Sequence, residues 1–272
     1  MDQFIGDYLE DGCGEVLTQV VLDLLADDEV KQARLDEVSG DFPGFLARAL
    51  LIALRNPNVP TREGVLWSRG TGVLAWKTGD IFGTAPKGKR PSITVIPVNT
   101  AFDVHVTRKS EGNVAPLISE RTLHGQWIVR MAASGVGEKE ISGRIRSDLI
   151  ARNAFPDTSG RYPIGTVAVI EHRNAVYYLL ALASFDESNR AQSSETDVRT
   201  ALGILADFYD HQGQGADIYI PLVGTGMSRA ALTYRESLDL IVDAFTGPDT
   251  FLAGRVTIVV EPNAAKALEF GE

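Results

Sequence analysis

Four short stretches hold the residue types that a ligand-binding edge needs: GDIFG at 79–83, PVNTAFD at 97–103, SFDESNRAQ at 184–192 and GTGMSR at 224–229. In the last, Gly224 and Gly226 follow the apolar residues Ile218, Ile220, Leu222 and Val223. A glycine pair there lets the backbone take positive φ and turn its N–H groups toward an oxygen-rich ligand. By itself the stretch is a weak motif and favours a plain turn over a phosphate cradle. It is not a dinucleotide fingerprint, since Arg229 stands where the third glycine belongs, and no Gly-Lys-Ser/Thr follows to make a P-loop. The Asp80 carboxylate can accept an adenine amino hydrogen, or simply cap a turn. Asp186, Asn189 and Arg190 follow an apolar run; Arg190 or Arg229 can pair with a diphosphate, or serve in an ordinary surface or internal ion pair. Ser119, Thr122 and His124 surround a helix start. His124 can meet a ribose or a phosphate there and the hydroxyls can donate, while the plainer reading has Thr122 only capping the helix.

These residues need a frame that brings them together. From about 66 the pattern alternates strands, expected at 72–76, 93–98, 166–172, 175–184, 217–223 and 255–261, with helices, expected at 122–133, 137–152, 195–210 and 234–246. Val198, Ala201, Leu202, Leu205 and Tyr209 make one helical stripe behind Ser194 and Asp197, and Thr233-x-x-Glu236 is a capping box. Several strands are apolar on both faces, as in a sheet covered on each side by helices. The expectation is an α/β class, three-layer α/β/α sandwich with a mixed central sheet, in which ligands gather where strands end at their carboxyl termini. Ahead of it, Leu17, Val20, Val21, Leu24 and Leu25, then Leu46, Ala49, Leu50, Ala53 and Leu54, predict an N-terminal helical segment over 1–62, stopped by Pro57 and Pro60. The second domain is expected over 66–272. The N-terminal helices read as a pair packed on the main domain or as a self-association module.

Composition limits the classes of function. With 272 residues, 44% hydrophobic and 23% charged, the chain is an ordinary globular one. A net charge of -10 argues against a general nucleic-acid binder. It leaves room for a small anionic ligand held by backbone N–H groups. The single Cys13 excludes an internal disulfide framework and suits a reducing cytoplasm. The acidic start is unlike a signal peptide, and FLARALLIAL at 45–54 is too short to span a membrane. His105, His172 and His211 have no paired spacing, so no metal site is expected.

Taken as a set, GDI, then a strand ending in VN with small residues, then a late strand ending in GTG, resembles the macrodomain family. That resemblance implies a cleft for ADP-ribose at the sheet's carboxyl edge, with no further cofactor. Asp80 would read the adenine with Ile81 behind the ring. The backbone of Gly224, Thr225, Gly226, Met227, Ser228 and Arg229 would wrap the diphosphate, and Asn99 and Thr100 would lie beside the ribose region, with Phe102 and Asp103 next to them. In hydrolytic macrodomains the strand ends in V-N-A-A-N; Phe102 stands at the second Asn, which favours binding over cleavage. ISERTLHGQW, RYPIGTVAVI, LASFDESNRAQ and IYIPLVGTGMSR further resemble the macro-like domain of Thoeris antiphage effectors. In that family a partner TIR-domain enzyme converts NAD into a nucleotide signal that the effector senses. The implied ligand is ADP-ribose, a conjugate of it or a cyclic isomer, and the implied protein is a cytoplasmic homo-oligomer. The alternative is an ADP-ribosyl hydrolase with a rearranged site using Asp103, His124 or Asp186. A Rossmann-type oxidoreductase is disfavoured by the late position of GTG.

Overall fold

A computed structural model describes residues 62–84, 92–106, 118–185, 191–225, 230–248 and 250–268. The helices expected over 15–56 lie outside these residues. Within them the chain runs through β1 (Glu63–Arg69), β2 (Gly72–Thr78), α1 (Ile81–Thr84), β3 (Ser92–Asn99), α2 (Leu123–Ala133) and α3 (Glu138–Ala151). It continues through β4 (Val167–His172), β5 (Ala175–Phe185), β6 (Ala191–Gln192), α4 (Glu195–Gln212), β7 (Ile218–Pro221), α5 (Tyr234–Thr246), β8 (Arg255–Val260) and α6 (Pro262–Ala267). The strands and helices expected from the apolar patterning in this part of the chain are all present. The short elements β1, which starts ahead of residue 66, α1, β6 and α6 were not expected. The β1 sequence EGVLWSR lacks clean alternation because the strand is an exposed edge with a bulge between Val65 and Trp67.

The sheet order is β1-β2-β8-β7-β3-β5-β4, with β6 paired to β5. Strands β2, β8, β7, β3 and β5 are mutually parallel, while β1 and β4 pair antiparallel at the two edges. The sheet is therefore mixed, and its parallel strands all end on one edge.

Alternation along the central strands feeds two cores. Ile93 and Val95 of β3 and Tyr178, Leu180 and Leu182 of β5 join Val198, Leu202 and Leu205 of α4 and Leu238, Ile241 and Phe245 of α5. The opposite-facing Ile96, Val98, Leu179 and Ala181 join Trp127 and Met131 of α2 and Ile141, Ile145 and Leu149 of α3. Period-2 alternation puts adjacent residues on opposite faces, so strands apolar at every position produce the three-layer sandwich. Both α4 and α5 begin with reciprocal capping boxes, Ser194 with Asp197 and Thr233 with Glu236.

The β4 edge is closed by a side chain. Asp148 of α3 accepts the Val169 N–H at 2.8 Å and is held in turn by Arg152 Nε at 3.0 Å. An edge strand with unpaired N–H groups invites pairing with another chain, and the carboxylate removes that donor. Asp148→Ala strands this half-buried N–H; urea denaturation is expected to show a loss of about 1–3 kcal/mol. An unchanged midpoint would mean that solvent replaces the carboxylate at no cost.

Candidate functional site

All four stretches singled out in the sequence, as far as they are described, come to the carboxyl edge of the parallel strands. At the end of β2, the Asp80 carbonyl accepts from Gly83 N at 3.0 Å, Thr84 N at 2.9 Å and Thr84 Oγ1 at 2.6 Å, which closes α1 into a turn. That turn buries Ile81 against Tyr219, Val259 and Leu123. It leaves the Asp80 side chain 56% exposed, with Oδ2 3.6 Å from Arg130 Nη2. Arg130 also lies over the Phe82 ring, 4.3 Å from its centroid. Both ions of the pair are half in water, so it contributes at most about 1 kcal/mol and leaves the carboxylate open to a ligand. Arg130 gave no sequence signal; a helix-surface arginine is legible as a partner only once α2 is placed over α1.

At the end of β7, Gly224 has φ +79. A Cβ there would sit 2.7 Å from Leu232 Cδ1 and 3.2 Å from Val198 Cγ2. The backbone angle favours glycine at this position, and a Cβ would also displace the end of Leu232. Thr225 follows half-buried, and Gly226, Met227, Ser228 and Arg229 lie outside the described residues, as do Asp186, Asn189 and Arg190.

The end of β3 is organised by Asn99, which is 5% exposed. Its Oδ1 accepts from Ala101 N at 3.1 Å and Asp103 N at 3.2 Å, and its carbonyl accepts from Phe102 N at 3.1 Å. Thr100 is buried and tied on both sides: its N–H donates to the Ala183 carbonyl and its carbonyl accepts from Tyr162 N, each at 2.8 Å. Phe102 takes φ +50 and is buried with its ring edge-on to Tyr162 at 5.3 Å. At the second Asn position of V-N-A-A-N, the side chain is thus part of the second core. Burial pushes the Asp103 carboxyl up, while the Asn99 side chain pulls it partly back.

Helix α2 begins over this turn. Thr122 accepts from Gly125 N at 3.0 Å and donates to the Ser119 carbonyl at 2.8 Å, so its hydroxyl proton is already engaged. Ser119 Oγ accepts from Arg121 N at 3.3 Å. Gly125 packs so closely on this turn that a Cβ would collide with the Ser119 carbonyl oxygen. His124 is 5% exposed, and its imidazole is hydrogen-bonded by the Asp103 backbone. Burial holds its pKa down to about 3, so the ring is neutral. Its Nε2 has no hydrogen-bond partner.

Of two surface depressions, one lies away from this edge and the other adjoins it behind the end of β3. One of about 750 Å³ runs between α3 and β4, lined by charged residues such as Arg144, Asp148 and Glu171. The other, about 400 Å³, lies behind Phe102 beside Ile145, Leu149, Phe155 and Tyr162. Neither brings together groups suited to an acid–base or metal reaction. Among the described residues no His, Cys, Asp and Glu cluster suited to a metal is present, and no helix is long and apolar enough to cross a membrane.

A three-layer sandwich on a mixed sheet, with loops of this kind at the ends of its parallel strands, is a macrodomain-like fold. The model of the family described as "Thoeris protein ThsA, Macro domain" matches residues 75–261, and the chain belongs to that family. Among solved structures it is similar to the Oceanobacillus iheyensis macrodomain with ADP, at 11% identity and a TM-score of 0.45, covering 77% of this chain and 94% of that one. An asparagine-to-alanine mutant of that macrodomain gives 11% identity and a TM-score of 0.47 over 78% of this chain and 92% of that one. A glycine-to-valine mutant with ADPR gives 10% and 0.44 over 76% and 95%. No curated protein matches the chain.

Two expectations follow for the turn. Asn99→Ala strands two backbone donors in the interior, and chemical denaturation is expected to report a loss of about 2–4 kcal/mol. For His124, the folded state holds the ring neutral down to about 3, while the unfolded chain takes up its proton near 6.5. The unfolded state binds more protons between those values, so stability falls as pH drops through this window, by up to about 1.4 kcal/mol per unit. Asp103, with its carboxyl raised, works in the opposite sense over the lowest part of the range. The measurement is therefore the stability of the wild type relative to His124→Phe, which should fall from about pH 7 to about pH 4.

Proposed function

We propose that this chain binds an ADP-ribose-type nucleotide derived from NAD and senses it as the effector of a Thoeris-like antiphage system, without cleaving it. The observation that carries this reading is the convergence, on one sheet edge, of Asp80 after β2, Gly224 and Thr225 after β7, and Asn99 to Asp103 after β3. Membership of the Thoeris macro-domain family supports it. In this reading Asp80 accepts the adenine amino hydrogen with Ile81 beneath the ring. The loop from Gly224 through Arg229 wraps the diphosphate, and the β3 end with α2 faces the remaining sugar. Asp186, Asn189 and Arg190 complete the wall after β5. No cofactor is needed, because the ligand is itself the signal. Its source is a TIR-domain NAD-consuming partner, and occupancy is passed on through self-association in the cytoplasm. Association shifts only if the ligand prefers the assembled state.

Binding rather than hydrolysis is favoured by Phe102, a buried phenyl ring that cannot orient a water by hydrogen bonding. The test is thermal denaturation with ADP-ribose, its amino-acid conjugates, cyclic isomers and NAD. A ligand at roughly a hundredfold excess over its Kd adds about 2.7 kcal/mol, or roughly 5–10 °C in Tm for a domain of this size. Asp80→Ala should weaken binding at least about tenfold while leaving the apo Tm unchanged. No stabilisation by any of these compounds would overturn the reading, and release of ADP-ribose from modified protein would replace it with the hydrolase.

A further inference from the structure

A trough of about 400 Å³ lies between α3 and the loop over 152–162, and the nucleotide reading makes no use of it. Phe102, Ile145 and Leu149 line it and are buried. Tyr162 lines it too, its ring edge-on to Phe102. Ile150 and Phe155 complete the apolar lining, yet they stand 50% and 62% exposed to water. Large apolar side chains left open beside buried ones mark a surface built for contact rather than for solvent.

Both walls are fixed in place. On the helix side, Ile141, Ile145 and Leu149 anchor α3 in the second core. On the loop side, the Asp157 carboxylate accepts from Ser159 N at 2.8 Å, Ser159 Oγ at 2.6 Å and Arg161 N at 3.0 Å. Arg161 Nη2 then ties the loop to the Phe185 carbonyl at 2.9 Å, and Ala154 N donates to the Leu149 carbonyl at 2.9 Å. The concavity is therefore formed before anything enters it, as small-molecule sites usually are.

Its polar groups select the occupant. Ser142, Arg146 and Ile150 follow one another at i, i+4 and i+8 along α3, in one row on the trough. Arg146 is the one charged residue of the lining. Arg144 and Arg152 of the same helix pair with Glu140 and Asp148. Among the described residues Arg146 has no ion pair, and the Ser142 hydroxyl has no hydrogen bond. On a chain of net charge -10, an arginine with no acid beside it is complementary to an anion. Its planar fork fits a carboxylate with two parallel N–H bonds. A phosphate dianion would bring a second charge against apolar walls with nothing to match it.

We propose that this trough binds a small monocarboxylate with an apolar body. The body lies on Phe102 and Leu149, the carboxylate pairs with Arg146, and the Ser142 hydroxyl is a second donor. The site is separate from the nucleotide cleft and does not depend on that reading.

The test is ligand-observed NMR titration of the full chain with hydrocinnamate and its primary amide, which match in shape and differ in charge. The acid should bind with a Kd of about 0.1–3 mM, and the amide about 3- to 10-fold more weakly. Arg146→Gln should bring the acid down to the level of the amide, and Phe155→Ala should weaken both by about 3-fold or more. Both side chains are exposed, so neither change removes a core contact. Asp80→Ala should leave the acid's affinity unchanged. The proposal is overturned by no saturable binding, by equal binding of acid and amide to the wild type, or by an acid affinity that survives Arg146→Gln. A loss on Asp80→Ala overturns it as well, since the probe would then sit in the nucleotide cleft.

Discussion

A single buried amide oxygen sets the shape of the sheet's carboxyl edge at the end of β3. Asn99 Oδ1 accepts from two backbone donors in the turn that follows β3, and that turn sets where Asp103 lies. Asp103 in turn holds the His124 ring in the first turn of α2. Thr100 and Tyr162 tie the same turn to the loop before β4. Net hydrogen-bond energies are modest, about 1 kcal/mol each. Their weight here comes from position, since a few bonds at one strand end orient a helix start, a half-buried carboxyl and a neutral histidine together.

The frame of the fold was legible because its strands are apolar at nearly every position. A strand buried on both faces cannot hide its pattern, and β3, β5, β7 and β8 read clearly. The helices α4 and α5 announced their starts through capping boxes that the structure forms as expected. The edge strand β1 was missed for the converse reason. Val65 and Leu66 stand exposed next to each other, and a bulge breaks the two-residue period. Short α1 and α6 carry too few residues for a helical stripe to register.

The sequence stretches meet at one sheet edge, but the division of labour among their side chains was not legible. Thr122 was expected as a hydroxyl donor, whereas its proton goes to the Ser119 carbonyl; the Ser119 hydroxyl accepts from Arg121 N, which leaves its own proton unspent by that bond. Asn99 was expected beside a sugar, and its side-chain oxygen turns out to build the loop. Arg130 was invisible because its partners, Asp80 and Phe82, lie far from it along the chain. In each case the missing information is three-dimensional. Residue type says what a group can bond, while only the fold says which of its bonds are already spent.

The positive φ at Phe102 separates what the backbone needs at this position from what the side chain does. Of the non-glycine residues, asparagine is among the few at ease in that region of backbone space, and phenylalanine is not. The loop therefore has a backbone suited to asparagine while its side chain packs into the core beside Tyr162. Loop shape and side-chain chemistry are uncoupled at this position. An asparagine at this position would fit the same backbone, but would leave the ring's place in the core unfilled.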